Sequence, residues 1–184
     1  MFDRQGNRKY LNDRERRAFL RVAKNEPDAL RRAFCLTLFD TGCRISEALN
    51  VTAERLDLAN KGVVFETLKQ RKTRQFRAVP VPDSLMELLR QVIPAQSAAR
   101  VWTFSRPTAY RLVKDCMEKA GIIGGMASPK GLRHGFAVAC LAQKIPLTTV
   151  KKWLGHARLE TTAIYLDVTG DEERELAKRV WMEA

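Results

Sequence analysis

Apolar residues recur at helical spacing through most of the chain. Leu30, Phe34 and Leu38 fall four apart between Pro27 and Thr41-Gly42, where glycine can take a left-handed C-cap. Before them, Asn12-Asp13-Arg14-Glu15 has the form of a capping box, with Asn12 as cap and Glu15 reaching back; a short helix to Lys24 is predicted. Arg44 to Leu49 restarts as a short helix. Leu85, Leu88, Leu89 and Val92 make one face of a helix that opens at Asp83 and ends before Pro94. A further helix is expected over 105–120, with Tyr110, Val113 and Met117 inward, then one from Lys130 to Gln143 and one from Pro146 to Leu154. Asp171 to Trp181, behind Gly170, reads as an amphipathic helix anchored by Leu176, Val180 and Trp181.

The middle of the chain turns strand-like. Leu56 and Leu58 suggest a short strand, Asn60-Lys61-Gly62 a turn, and the β-branched run from Val63 to Lys69 a second strand. Gln70 to Arg74 is a basic turn, and Gln75 to Val81 returns as a third strand that Pro80 and Pro82 push to an edge. The predicted class is therefore mainly α with a small three-stranded antiparallel β-sheet (α+β). No repeat or composition shift marks an internal boundary. Residues 1–184 are expected to form one domain, with 1–10 a polar lead-in, 171–184 a C-terminal helix and no separate N-terminal domain ahead of it.

Charge narrows the partner. The chain has 33 Lys+Arg against 21 Asp+Glu, a net charge of +12, which favours a polyanion such as nucleic acid. No apolar run approaches a membrane span and no signal peptide is evident, so a cytoplasmic protein is expected. Cys35, Cys43, Cys116 and Cys140 stand far apart without metal-ligand spacing and read as reduced core thiols. No metal, nucleotide or other cofactor is expected.

The candidate chemistry centres on Gly155 to Tyr165, which holds one of two histidines, His156, and one of three tyrosines, Tyr165. Nine positions apart on one straight helix, these side chains would point in roughly opposite directions. A break at Leu159-Glu160-Thr161-Thr162, with a new short helix capped there, could bring them to one site. Taken alone, the stretch reads equally as a buried tyrosine and a histidine cap. Arg44, just after the Gly42 break, can pair with Glu47 one turn on. Lys130 and Arg133 share a helix face three apart, an arrangement an anion between them would explain. Together, two arginines, lysines, a histidine and a tyrosine can serve one reaction. Arginines fork onto phosphodiester oxygens, a tyrosine hydroxyl attacks phosphorus, and a lysine protonates the leaving 5′ oxygen while a second basic group takes the tyrosine proton.

These boxes resemble the tyrosine recombinases, or phage integrases. Thr41-Gly42-Cys43-Arg44-Ile45-Ser46-Glu47 looks like that family's first-arginine box, and Gly131-Leu132-Arg133-His134-Gly135-Phe136-Ala137 like its second. Leu154-Gly155-His156 through Thr161-Thr162-Ala163-Ile164-Tyr165 looks like the third. The resemblance spans about Asn12 to Trp181 and implies a tyrosine recombinase catalytic-domain fold. It implies a site-specific recombinase that cuts and rejoins double-stranded DNA through a covalent 3′-phosphotyrosine. Arg44 and Arg133 would clamp the scissile phosphate, His156 would bond to it, Tyr165 would be the nucleophile and Glu47 would buttress Arg44. The family's lysine lies at the turn between the second and third strands, where Lys69 is the first choice and Lys72 the alternative. Self-association into a tetramer on DNA and accessory DNA-binding proteins are further implied partners, the C-terminal helix docking onto a neighbouring subunit.

Two departures from the family pattern stand out. Relatives mostly carry histidine three residues before the second arginine, where this chain has Lys130. A lysine can contact a phosphate but must lose a proton, at a reference pKa of about 10.4, before it acts as a base. Relatives usually also carry an N-terminal helical domain that closes around DNA, whereas this sequence starts just before the catalytic boxes. Two competing readings remain, a catalytically silent DNA-binding module and a type IB topoisomerase-like strand transferase.

Overall fold

The computed structural model describes residues 2–67 and 75–166. Two expected features, the lysines Lys69 and Lys72 of the basic turn and the C-terminal helix from Asp171, lie outside the described residues.

Helix boundaries follow from capping chemistry. Helix α1 (Asp13–Lys24) opens on Asn12, which accepts from the Glu15 N–H while the Glu15 carboxylate accepts from the Asn12 N–H, so both predicted halves of the capping box form. Helix α2 (Ala29–Thr41) starts two residues after Pro27, with Asp28 as its cap, and ends at Gly42 in the left-handed region at φ 59°. Helix α3 (Ile45–Leu49) follows after Arg44. Helices α4 (Asp83–Val92), α5 (Arg106–Lys119), α6 (Pro129–Ala142), α7 (Leu147–Leu154) and α8 (Glu160–Ala163) complete the helical part. Ser105 and Ser128 cap α5 and α6 through their hydroxyls.

Three strands, β1 (Leu56–Asp57), β2 (Gly62–Glu66) and β3 (Phe76–Pro80), form an antiparallel sheet in the order β1-β2-β3. Val63 pairs with Val79 and Phe65 with Arg77, so inward positions alternate with outward ones on β3. The main core gathers around α2, which packs on α1, α4 and α6, with Phe34, Trp102 and Phe104 in edge-to-face contact. A second, smaller cluster of Phe136, Ala137, Cys140, Val150 and Leu154 lies between α6 and α7 and takes in the ring of Tyr165. The four cysteines are buried free thiols.

The other two tyrosines exchange their expected places. Tyr110 is 46% exposed, because the inward face of α5 is built by Ala109, Val113, Cys116 and Met117. Tyr10, placed in a polar lead-in by sequence, is buried: the Leu11 N–H donates to the Gly131 carbonyl at 3.3 Å, drawing residues 10 and 11 down onto the start of α6.

Candidate active site

Four separated segments meet where α2, α3 and α7 end or begin. Arg44 stands at the N-cap of α3, and its backbone N–H donates to Glu47 Oε2 at 2.9 Å. The Arg44 guanidinium donates to Glu47 Oε1 at 2.6 Å, the one-turn pairing expected from the sequence. Glu47 is buried nonetheless, and its Oε2 also accepts from Arg77 Nη2 at 2.6 Å. Burial alone would raise the Glu47 pKa; the charges of Arg77 and Arg44 overcome it and hold the carboxyl below its ordinary value.

Arg77 was not singled out from the sequence, yet it ties the sheet to the site. From β3 it donates to Glu47, to Thr67 Oγ1 at 3.0 Å and to the Trp153 carbonyl at 2.7 Å, with its guanidinium over the Phe65 ring. Its signal lay in the alternation of β3, where it shares the inward phase with Val79. A charged residue in the apolar phase of a strand needs a partner.

Arg133 is equally buried. Its Nη1 donates to the Gly42 carbonyl and its Nη2 to the Leu154 carbonyl, each at 2.7 Å. These carbonyls close α2 and α7, so the guanidinium sits at the negative ends of two helix dipoles. Desolvation, then the nearby Arg44, lower its pKa to about 10, which leaves it charged at neutral pH. Both helices can turn there because Gly42 and Gly155 adopt φ of 59° and 64°, a conformation costly for other residues. A Cβ on Gly42 would also run into the Phe136 ring.

His156 follows Gly155 directly. Its Nε2 lies 3.0 Å from Arg133 Nη2 and its Nδ1 2.9 Å from Thr162 Oγ1. A guanidinium only donates, so Nε2 accepts, and Nδ1–H donates to the threonine. Burial, together with Arg133, Arg44 and Arg77, lowers the His156 pKa to about 3, keeping the ring neutral. The expected break before Tyr165 is present. Thr162, however, serves as this buried partner of His156 and not as a cap, and α8 opens at Leu159 with no side-chain cap bond.

Tyr165 lies just beyond α8, its N–H bonded to the Thr162 carbonyl at 3.1 Å. Its ring stacks on His156 at 6.3 Å between centroids and is 3% exposed. Its hydroxyl is 2.8 Å from Nδ1 of His134, a residue of the second box for which the sequence alone indicates no role. Burial raises the phenol pKa, partly offset by Arg133 and Arg44. Lys130 stands apart, exposed on the first turn of α6.

The structure thus brings Arg44, Glu47, Arg133, His156 and Tyr165 together, adds Arg77, His134 and Thr162, and leaves Lys130 at the rim. Two guanidiniums share one buried carboxylate and a third, Arg133, is held by backbone carbonyls, leaving local positive charge that suits an anion with several oxygens, with a phenol beside it.

Comparison with known proteins gives consistent matches. Residues 9–172 match the model of the phage integrase family. The chain is 31% identical over 159 residues to tyrosine recombinase XerA of Pyrococcus furiosus, covering 80% of this chain and 54% of that protein. It is 33% identical over 156 residues to tyrosine recombinase XerD of Mycobacterium tuberculosis, covering 79% and 50%. Its fold superposes on a crystal structure of XerA recombinase with a TM-score of 0.76 at 23% identity, covering 95% of this chain and 66% of that one. With XerH site-specific recombinase bound to palindromic difH substrate in a post-cleavage complex, the TM-score is 0.75 at 27% identity, covering 98% and 56%. The chain spans about half the length of the curated relatives it matches.

Proposed function

The chain belongs to the phage integrase family, and from that premise we propose that it is the catalytic domain of a site-specific tyrosine recombinase that breaks and rejoins double-stranded DNA. The observation that carries this reading is the convergence at one point of Arg133, His156 and Tyr165, with Arg133 held on His156 at 3.0 Å and the phenol stacked behind. The named relatives are tyrosine recombinases, and the XerH neighbour holds its difH substrate.

In this reading Arg44 and Arg133 fork onto the non-bridging oxygens of the scissile phosphate. Glu47 and Arg77 hold Arg44 in place without touching DNA. The phosphate displaces His156 as acceptor for Arg133, and its negative charge favours protonation of Nε2, which then donates to phosphate. The Tyr165 hydroxyl attacks phosphorus, the P–O5′ bond breaks, and the 3′ end is left on the tyrosine. The 5′ oxygen takes a proton from Lys69 or, in the alternative, Lys72. Lys130 adds positive charge beside the DNA backbone. Residues 171–184 dock onto a neighbouring subunit of a tetramer on DNA, so that cutting follows assembly.

The test is covalent capture. Full-length protein is incubated with nicked duplexes randomised across the recognition region, and adducts that survive denaturation are recovered and sequenced. A protease-sensitive adduct enriched in one sequence is expected. Binding without any adduct would make the chain a silent DNA-binding module, and supercoil relaxation without sequence preference would make it topoisomerase-like. The leaving-group acid is found by comparing Lys69→Ala with Lys72→Ala on DNA bearing a 5′-bridging sulfur, which leaves without a proton. The rescued variant names the acid.

A further inference from the structure

The reaction needs a group to accept the Tyr165 proton, and the usual histidine position is occupied by Lys130. We propose that His134, one helical turn beyond Lys130 on the same face of α6, is the residue that takes this proton. The proposal rests on the reading of Tyr165 as nucleophile.

Geometry selects His134. Its Nδ1 is 2.8 Å from the Tyr165 hydroxyl, within reach for direct transfer, with the two rings 5.6 Å apart and tilted by 52°. With its proton on Nε2, the imidazole presents a lone pair to the phenol. The other candidates are engaged or charged. Both nitrogens of His156 are taken, by Arg133 and Thr162 in the free protein, and once phosphate is seated Nε2 is committed to it as a donor. Both oxygens of Glu47 are taken, by Arg44 and Arg77. Lys130 is exposed, and as an ammonium it has no lone pair to offer. Among the described residues no carboxylate is hydrogen-bonded to Tyr165.

The electrostatics fit a base that works only on DNA. Burial, then Lys130 and Arg133 on its own helix and Lys9 of the lead-in, hold the His134 pKa at about 4 in the free protein. The ring is therefore neutral and able to accept, but weak. Burial raises the pKa of the phenol, and the charges of Arg133 and Arg44 offset this only in part. Proton transfer ahead of attack is thus uphill, which keeps the nucleophile idle without substrate. A DNA backbone neutralises Lys9, Lys130 and Arg133, the same charges that depress His134, and so strengthens the base when phosphate is seated. The proton then moves as the Tyr165 oxygen bonds to phosphorus. His134 becomes an imidazolium, the P–O5′ bond breaks, and the 5′ oxygen is protonated by the lysine. On rejoining, the 5′ hydroxyl returns its proton to the lysine as it attacks phosphorus, the bond from phosphorus to the Tyr165 oxygen breaks, and the departing phenolate recovers its proton from His134.

The test compares His134→Asn with Tyr165→Phe in single-turnover cleavage of a captured nicked duplex. Asparagine keeps a polar atom near the Nδ1 position and can hold the hydroxyl, but cannot take the proton. H134N is expected to bind DNA as the parent does and to cut about 10²–10⁴-fold more slowly, the usual contribution of a general base. It should also lose the rising limb of the rate against pH, and be rescued by a fluorinated tyrosine at position 165, which ionises without help. Cleavage by H134N at the parent rate, with Y165F inactive, would overturn the role of His134 and leave the nucleophile intact. An adduct formed by Y165F would overturn both. Should H134N fail to fold, fluorotyrosine is placed at 165 in the parent chain. A pH limb that stays in place belongs to His134, and one that moves down with the phenol refutes the proposal.

Discussion

Replacing Glu47 by glutamine tests how the arginine cluster is held. The carboxylate side chain is fully buried at 0% exposure, against 5% for Arg77 and 22% for Arg44. The substitution keeps the shape but removes the single negative charge that both guanidiniums share. Removing one partner of a buried ion pair typically costs about 3–5 kcal/mol, because the remaining charge stays buried and unpaired. Solvent reaches Arg44, and the amide oxygen can still accept one bond, so the lower end applies, about 3 kcal/mol. With a urea slope of up to ~3 kcal/mol per molar, the unfolding midpoint should fall by about 1 M. The Arg77→Gln and double variants complete a cycle, in which a coupling of up to about 3 kcal/mol is expected for residues in contact. A midpoint shift for Glu47→Gln of less than ~0.3 M would refute the view that this carboxylate anchors the cluster.

Further outcomes follow from the same geometry. Gly42→Ala combines a positive φ with a clash against Phe136, and should lower thermal stability and displace the carbonyl that holds Arg133, which cleavage rates would register. Arg44→Ala and Arg133→Ala should each slow single-turnover cleavage about 10²–10³-fold, the usual loss for a preorganised donor at a developing charge; near-normal rates would remove that arginine from the clamp. Stability should fall as pH drops below about 6.5: His134 and His156 have native pKa values lowered to about 4 and 3, so the unfolded chain binds more protons in that window. Asp40, raised to about 6 by burial, acts in the opposite sense between its unfolded value and pH 6, so Asp40→Asn should steepen the loss seen in urea titrations at successive pH values.

Much of the scaffold was legible because it is written locally. The Asn12 capping box and the Gly42 C-cap each mark a helix end within a few residues of sequence. The β-branched run from Val63 and the turn residues before it placed the sheet in the same way. What was not legible depends on contacts between distant segments. Arg77 meets Glu47 and Trp153 only once β3 lies against α3 and α7, and its inward phase on the strand was the one available hint. His134 meets Tyr165 across 31 positions, and nothing near either residue announces the pair. Tyr10 and Tyr110 were exchanged for a related reason. Helical spacing defines a face but not its centre, and a polar lead-in can still bury its last ring when a helix start lies beneath it.

The most direct measurement is the identity of the residue esterified to DNA. The denaturation-resistant adduct is digested with nuclease and protease, and the peptide carrying the residual nucleotide is sequenced by mass spectrometry. The account predicts a single modified peptide with the nucleotide 3′-phosphate on the Tyr165 oxygen. A nucleotide on Tyr10, on Tyr110 or on a serine, or one attached through its 5′ phosphate, would contradict it.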